Sequence, residues 1–162
     1  MEILDIKFRT DGLEKKLSNL YPYQFEIDGI SVASYEGFVQ SLRTPDIQIK
    51  ENIWKLSGFE AWKAGQYLNW VDKQKLYWIS TPIDRQSEEY DNLITRSYDC
   101  LFEQNEYFRN SLKESIPYKL EHSIGKSGKT NTLITKSEFL IQLNRLRSKF
   151  TERTYFNLLD LF

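Results

Sequence analysis

The chain has 162 residues, of which 40% are hydrophobic, 15% aromatic and 28% charged. This composition is typical of one globular domain with a real core, and it excludes an intrinsically disordered chain. The formal net charge of −1 gives no overall field that would attract the chain to nucleic acid or to an anionic membrane. With one cysteine and one histidine, an intrachain disulfide, a cysteine-based zinc site and a histidine-rich metal site are excluded.

The N-terminal residues, MEILDIKF, alternate between apolar and polar side chains. They lack the long apolar run of a signal peptide or of a membrane span. We therefore expect a soluble, cytoplasmic protein that does not contact membranes.

The first predicted elements are strands. Alternation over residues 2–8 predicts one strand, and two alternating runs within residues 23–32 predict a hairpin. Asp28 and Gly29 join the two runs, and both residue types tolerate the positive φ that a type I′ turn requires. Ser34 is a typical helix N-cap and predicts a helix directly after it.

Two further helix starts are predicted in the middle of the chain. Ser57 and Glu60 have the spacing of a capping box, and Thr81-Pro82 fits an N-cap followed by proline at the first helical position. The long helix predicted after Thr81 places its apolar residues on one face. These residues are Tyr90, Leu93, Ile94, Tyr98, Leu101 and Phe102.

The last predicted elements are two helices with a strand between them. Asn105 is expected to cap a short helix, a strand is expected near residues 117–122, and Thr135 and Glu138 form the capping box of a final helix.

Together these elements predict an α+β fold. We expect a single compact, mostly helical domain over residues 1–150, with a small antiparallel sheet. The sheet would contain the N-terminal strand, the hairpin and the strand near 117–122. The apolar segment 151–162 is expected to dock on the domain or on a partner.

Residues 122–132 read HSIGKSGKTNT, which resembles the end of a nucleotide-binding phosphate loop. Such a loop needs a glycine where this chain has Ser123, and it needs a helix directly after the loop. Because neither condition is met, a Walker-type loop is excluded. Two interpretations stay open, which are an anion-binding nest and a mobile, solvated loop.

Three separated segments resemble the NADAR family. They are LSNLYP at residues 17–22, SYEGFVQSLR at 34–43 and LFEQNEYFRNSL at 101–112. The family has "SNFYP", "sEhyyQaxK" and "KFxQNxxLxxxLL" segments in this order and at similar spacing. LEH at 120–122 also stands where the family has "LvE", so the resemblance spans most of residues 17–147.

The resemblance implies a compact α+β fold and an N-glycosidase, which cleaves the bond between a ribose C1′ and a nitrogen. The substrates of this family are phosphorylated riboflavin-pathway intermediates or ADP-ribosylated guanine. The implied partner is therefore a ribosyl phosphate or ADP-ribosyl ligand, which could be part of an ADP-ribosylated nucleic acid. No cofactor is implied, and the oligomeric state stays open.

The resemblance assigns Glu36 as the main catalytic carboxylate and Glu121 as a second one. A carboxylate beside C1′ stabilises the positive charge that develops on the ribose as the bond breaks. Asn19 suits ribose hydroxyls, and Gln40 and Arg43 share the helix face of Glu36, where the arginine suits a phosphate. The alternative for each is a structural role: a first-turn or strand-end glutamate, a turn asparagine, or a solvated polar stripe.

Four more residues are substrate-binding candidates. Tyr35 is a candidate for stacking on a base, with a core aromatic as the alternative. Lys126, Lys129 and Asn131 are the side chains of the 122–132 loop that we expect to reach an anion.

This chain departs from the family pattern after "LvE". The family carries an Asp-x-x-Trp-Gly segment there, whose aspartate and tryptophan help to form the active site, and residues 123–132 contain neither. Three functions therefore stay open. They are an active N-glycosidase, a module that binds ADP-ribose or a nucleotide without turnover, and an interaction protein with a vestigial pocket.

Overall fold

The computed structural model describes residues 1–159, with the side chains of residues 1–152. The fold is α+β, as the sequence predicts. The helices are α1 (Gly12–Lys16), α2 (Tyr35–Ser41), α3 (Ile47–Trp54), α4 (Gly58–Gly65), α5 (Glu88–Gln104), α6 (Glu106–Glu114) and α7 (Lys136–Leu159). The strands are β1 (Ile3–Asp5), β2 (Phe25–Ile27), β3 (Ile30–Val32), β4 (Lys75–Trp78), β5 (Thr81–Asp84) and β6 (Lys119–Glu121).

The strands form three separate two-stranded sheets within the described part of the chain, where the sequence had suggested one antiparallel sheet. β2 pairs with β3 and β4 with β5, both antiparallel, whereas β1 pairs with β6 in parallel. A parallel pair needs a long connection, and almost the whole domain separates β1 from β6. The alternation of side chains predicts a strand but contains no information on its partner or direction.

The first hairpin confirms its predicted turn. Asp28 and Gly29 have φ values of 52° and 81°, as a type I′ turn requires. The Asp28 carboxylate accepts hydrogen bonds from Trp78 Nε1 at 2.7 Å and from Arg96 at 2.6 Å. The turn is thereby tied to β4 and to α5.

The helix predicted to begin at Thr81-Pro82 is wrong at its start. These residues open β5, and α5 begins at Glu88, where the Ser87 hydroxyl accepts a hydrogen bond from Tyr90 N. Pro82 lies in the exposed strand of a two-stranded pair, where its missing N–H removes no bond that a further strand would need. Ser-x-x-Tyr is a weaker signal than Thr-Pro, which is why the sequence favoured the earlier start.

Most of the predicted helix caps are present. Ser34 caps α2 through Gly37 N, and Asn105 caps α6 through Phe108 N. The capping box of α7 is complete, because Thr135 N donates to Glu138 and Glu138 N donates to Thr135. Besides Thr81, the exception is α4, which begins after Ser57 without a hydrogen bond to the serine side chain.

The core is rich in aromatic rings and centres on α5. This helix contacts β2, β5, α6 and α7, and all six predicted apolar positions on its inner face are buried. Tyr98 stacks on Tyr35 of α2 with ring centroids 3.9 Å apart. The hydroxyl of Tyr35 bonds to Ser97 Oγ and that of Tyr98 donates to Asn19 Oδ1, so polar groups enter the core beside α2.

The predicted division at residue 150 falls inside α7, which continues from Lys136 to Leu159. The side chains of residues 153–162, which make up most of the apolar segment 151–162, lie outside the described residues, so the docking of this segment stays a prediction. Within residues 1–159, no helix is both long enough and apolar enough to cross a membrane.

A buried lysine connects α2, α3 and β4. Lys50 of α3 is 0% exposed, and its ammonium donates to Ser41 O at 2.7 Å and to Tyr77 O at 2.5 Å. No carboxylate in the described part of the chain pairs with it. Burial lowers the pKa of this side chain from 10.5 to about 7.

We expect stability to rise with pH because of Lys50. Between pH 7 and 10.5 the folded chain has lost the Lys50 proton while the unfolded chain retains it. The free energy of unfolding therefore gains up to about 1.4 kcal/mol per pH unit from this residue. Urea unfolding from pH 7 to 9.5 should show a steeper rise for the wild type than for Lys50→Met, whereas equal slopes would contradict the assignment.

Candidate functional site

The candidate site is built on the first turns of α2. The Ser34 cap fixes where this helix begins, and Glu36 N donates to Asn19 O at 2.9 Å. Glu36 consequently points inward, and only 8% of the residue is exposed. Glu36 is therefore not the solvent-facing first-turn glutamate that was its structural alternative.

Glu36, Gln40 and Arg43 lie on one face of this segment, as their spacing predicts. Gln40 Nε2 donates to Glu36 Oε1 at 2.8 Å, and no side chain of residues 1–152 donates to Glu36 Oε2. Burial raises the pKa of the Glu36 carboxyl above its ordinary 4.5, although the bond from Gln40 and the charge of Arg43 oppose this shift. Burial also lowers the pKa of Arg43, which the nearby Glu36 carboxylate partly offsets.

Gly65 at the end of α4 makes this cluster possible. Arg43 Nη1 donates to Gly65 O at 3.0 Å, and a Cβ on Gly65 would lie 2.0 Å from Gln40 Oε1. Gln40 Oε1 and Arg43 Nε are buried without a hydrogen bond in this packing. Only glycine lets α4 approach the two side chains so closely.

We expect Gly65→Ala to displace Gln40 and to break its bond to Glu36. The free energy of unfolding should fall by about 1–3 kcal/mol, because Gln40 is buried and has little room to move. In Gly65→Ala/Gln40→Ala the shortened side chain leaves space for the methyl group, so the double variant should be more stable than the sum of the single changes predicts. Additive effects in urea unfolding would show that Gln40 and Gly65 do not constrain each other.

Asn19 joins the cluster through a tyrosine that the sequence had indicated only as a core ring. Tyr98 OH donates to Asn19 Oδ1 at 2.8 Å, and Tyr98 is 0% exposed. Because the amide oxygen is occupied, the two Nδ2 hydrogens of Asn19 point away from Tyr98. Because the backbone carbonyl of Asn19 accepts the Glu36 N–H and its side-chain amide accepts the Tyr98 hydroxyl, the three residues form one hydrogen-bonded cluster.

Tyr35 lies in the core rather than on the face of the site. It is 2% exposed, its hydroxyl bonds to Ser97 Oγ at 2.8 Å, and Phe25 and Tyr98 stack on its ring. A base could stack on Tyr35 only after one of these rings had moved. The position therefore fits the alternative of a core aromatic.

The loop after β6 is anchored by Arg85, which the sequence did not single out. Arg85 is 1% exposed, donates through Nε to Thr132 O at 3.1 Å and binds both carboxylate oxygens of Glu138. Its guanidinium lies 4.7 Å from the ring centre of Tyr90, and Tyr90 OH donates to Leu133 O. The segment that precedes α7 is thus fixed against α5.

Lys126, Lys129 and Asn131 all lie on the exposed part of this loop. Their side chains form no hydrogen bond or ion pair with residues 1–152, while Gln86 Nε2 holds Lys129 O and Gln74 Nε2 holds Thr130 O. No residue of the loop has a positive φ, so the left-handed step of an anion-binding nest is missing. No contact joins these three side chains to Glu36.

Glu121 is separated from the α2 cluster in its contacts. It ends β6 opposite Asp5 and forms an ion pair with Lys119 at 3.0 Å, with 40% of its side chain exposed. His122, which follows it, bonds through Nδ1 to Ile6 O and packs on Phe139, so its contacts are structural. No contact among the described residues joins Glu121 to Glu36.

Two surface clefts adjoin the 19–22 segment. They have volumes of about 440 and 380 Å³ and share Lys16, Tyr21 and Pro22. Neither is lined by Glu36, but the lining of the first includes Leu20, which is next to Asn19. In the described part of the chain, no group of three or more His, Cys, Asp or Glu side chains is arranged to hold a metal ion.

The overall fold is similar to the solution structure of the E. coli protein YbiA, with a TM-score of 0.61 and 17% sequence identity. The match covers 95% of this chain and 88% of YbiA. At this identity the likeness shows the fold alone, which is YbiA-like.

Two comparisons of sequence give a closer relationship. An uncharacterised 17.1 kDa protein of Enterobacteria phage T4, from the Gp30-rIII intergenic region, is 35% identical over 149 residues. These residues cover 91% of this chain and 98% of the phage protein. A sequence model of the family described as bacteriophage protein GP30.3 matches residues 13–148. The chain belongs to the bacteriophage protein GP30.3 family.

Proposed function

We propose that the chain is an N-glycosidase that hydrolyses a ribose C1′–N bond in a phosphorylated ribosyl or ADP-ribosyl substrate. The observation that supports this most is Glu36, whose carboxylate is buried with one oxygen bonded to Gln40 and the other without a donor among residues 1–152. An incompletely paired buried carboxylate costs stability. Such a group is expected where function requires it.

In the proposed reaction, Glu36 faces the ribose C1′. As the C1′–N bond lengthens, its electron pair passes to the leaving nitrogen and positive charge develops on C1′ and the ring oxygen. The carboxylate stabilises this charge without moving, because Gln40 already orients it. Water then bonds to C1′, and its proton passes to solvent or to the leaving base.

Asn19 and Arg43 are the substrate-binding groups of this proposal. The free Nδ2 hydrogens of Asn19 suit ribose hydroxyls, because Tyr98 occupies the amide oxygen. Arg43 retains a buried Nε without a partner beside the bond that its Nη1 makes to Gly65 O. A ligand oxygen would satisfy that donor.

The resemblance to NADAR N-glycosidases supports the same reaction, because a YbiA-like fold is the scaffold that this resemblance implies. We infer that the chain is a divergent relative of the NADAR family whose 123–132 loop replaces the Asp-x-x-Trp-Gly segment.

The replaced loop favours a second candidate function. Lys126, Lys129 and Asn131 bring cations and an amide to the place where NADAR proteins have an aspartate, and Glu121 is paired with Lys119. A module with one carboxylate would bind ADP-ribose or a nucleotide without cleaving it. An interaction protein with a vestigial pocket would bind neither.

Product analysis separates these functions. The purified chain is incubated with ADP-ribosylated guanosine, whose cleavage gives guanosine and ADP-ribose, and with phosphorylated riboflavin-pathway intermediates, whose cleavage gives the free base and a ribose phosphate. Chromatography quantifies these products. We expect release of both products. If ADP-ribose raises the melting temperature but no substrate is cleaved, the chain is a binding module and not an enzyme. If millimolar ligand causes neither a shift nor cleavage, the enzyme and the binding module are both rejected.

A further inference from the structure

Two consecutive residues hold the beginnings of α2 and α4 together. Asn19 O accepts a hydrogen bond from Glu36 N at 2.9 Å, and Leu20 O accepts one from Gly58 N at 2.8 Å. At the other end of α4, Gly65 contacts Gln40 and Arg43. The two helices therefore lie side by side in the same direction, with the 19–20 segment across their first turns.

The first surface cleft opens at this junction. Its lining includes Leu20, Tyr21 and Gly58 together with Phe8, Lys15 and Lys16. Its volume of about 440 Å³ lies within the range of about 300–1,000 Å³ that is usual for small-molecule sites. A ligand in this cleft would contact Leu20, whose neighbour Asn19 accepts the Glu36 N–H of the first turn of α2.

The charged side chains that line the cleft are both lysines. Lys15 Nζ lies 4.9 Å from the centre of the Phe8 ring, which keeps the ammonium over the cleft wall. Neither Lys15 nor Lys16 forms an ion pair with a described residue, although the Glu14 carboxylate lies beside Gly12 at the edge of the cleft. The cleft is thus locally cationic, although the whole chain has a net charge of −1.

We propose that this cleft binds the phosphate or diphosphate of the ligand, with Lys15 and Lys16 as its cationic groups. This inference rests on the proposed function, because it assumes that the ribose of the same ligand lies beside Glu36 and Asn19. It differs from the expectation for the 122–132 loop, since Lys126 and Lys129 have no contact that leads to Asn19. Two unpaired ammonium groups with an aromatic ring beneath one of them suit an anion in a shallow site.

The test compares charge reversals in pairs. Binding of ADP-ribose, ribose 5-phosphate and ribose is measured by isothermal titration for the wild type, Lys15→Glu/Lys16→Glu and Lys126→Glu/Lys129→Glu. Lys73→Glu/Lys75→Glu is the matched control, because these two lysines are exposed and the change in net charge is the same. Circular dichroism verifies that each variant is folded.

We expect Lys15→Glu/Lys16→Glu to weaken ADP-ribose and ribose 5-phosphate by about tenfold or more, with no effect on ribose. The control pair should leave all three affinities unchanged. Equal ADP-ribose affinity in wild type and Lys15→Glu/Lys16→Glu would overturn the assignment of the phosphate to the cleft, while the proposed function stands. A loss of affinity confined to Lys126→Glu/Lys129→Glu would have the same consequence. If no probe binds the wild type, the cleft and the proposed function are both rejected.

Discussion

Glu36→Gln is expected to lower the turnover of a ribosyl substrate by about 10³-fold. Glutamine keeps the size of the side chain and can still bond to Gln40, so the loss isolates the negative charge. That charge is what stabilises the developing cation at C1′. Initial rates with saturating substrate measure the effect, and the affinity for ADP-ribose should change far less than the turnover.

Glu60→Gln is the matched control for this variant. Glu60 also lies in the first turn of a helix, α4, but it is exposed. Its replacement should leave the turnover within about twofold, since exposed substitutions rarely change more than a few tenths of a kcal/mol. Equal turnover in wild type and Glu36→Gln would remove the carboxylate from the mechanism.

The same residue sets the acid limit of the reaction. Because burial raises the Glu36 pKa above 4.5, the carboxylate is protonated at a higher pH than an exposed glutamate. Turnover should therefore fall on acidification with a midpoint above 4.5. A midpoint at or below 4.5 would contradict the buried environment of the group.

Arg85→Met is expected to lower the free energy of unfolding by about 3–5 kcal/mol. Methionine leaves the partly buried Glu138 carboxylate and Thr132 O without the arginine that binds them. Although burial raises the pKa of Glu138, the bonds from Arg85 hold it below 4.5, and it should rise in the variant. Urea unfolding at neutral pH measures the loss.

Arg96→Met provides the comparison for Arg85→Met. Arg96 also pairs with a carboxylate, Asp28, but the two side chains are 48% and 40% exposed. An exposed ion pair contributes about 0–1 kcal/mol, so this variant should remain close to the wild type. Similar losses in the two variants would show that burial does not determine the effect.

The parts of the fold that depend on neighbouring residues could be predicted from the sequence. The hairpin turn needs only Asp28 and Gly29, and the caps at Ser34 and Asn105 need only the backbone of the following turn. The parallel pairing of β1 with β6 depends on a partner more than a hundred residues away, which no local pattern specifies. The helix start at Pro82 was predicted wrongly for the same reason. Proline fits a strand only at an unpaired edge, and the sequence does not show which edges are unpaired.

The candidate site divides in the same way. Glu36, Gln40 and Arg43 were found because helical spacing alone places them on one face. Gly65 and Tyr98 were missed as site residues because their roles arise from contacts between distant elements, with Gln40 and with Asn19. A glycine in a helix and a tyrosine on an apolar face have many ordinary reasons to be there.

The most direct test of the central claim is the crystal structure of the Glu36→Gln chain with ADP-ribose. We predict that the ribose C1′ lies beside the residue 36 side chain and that Asn19 Nδ2 donates to a ribose hydroxyl. A ligand bound elsewhere on the molecule, with the space between Glu36, Asn19 and Arg43 closed by side chains, would contradict the account.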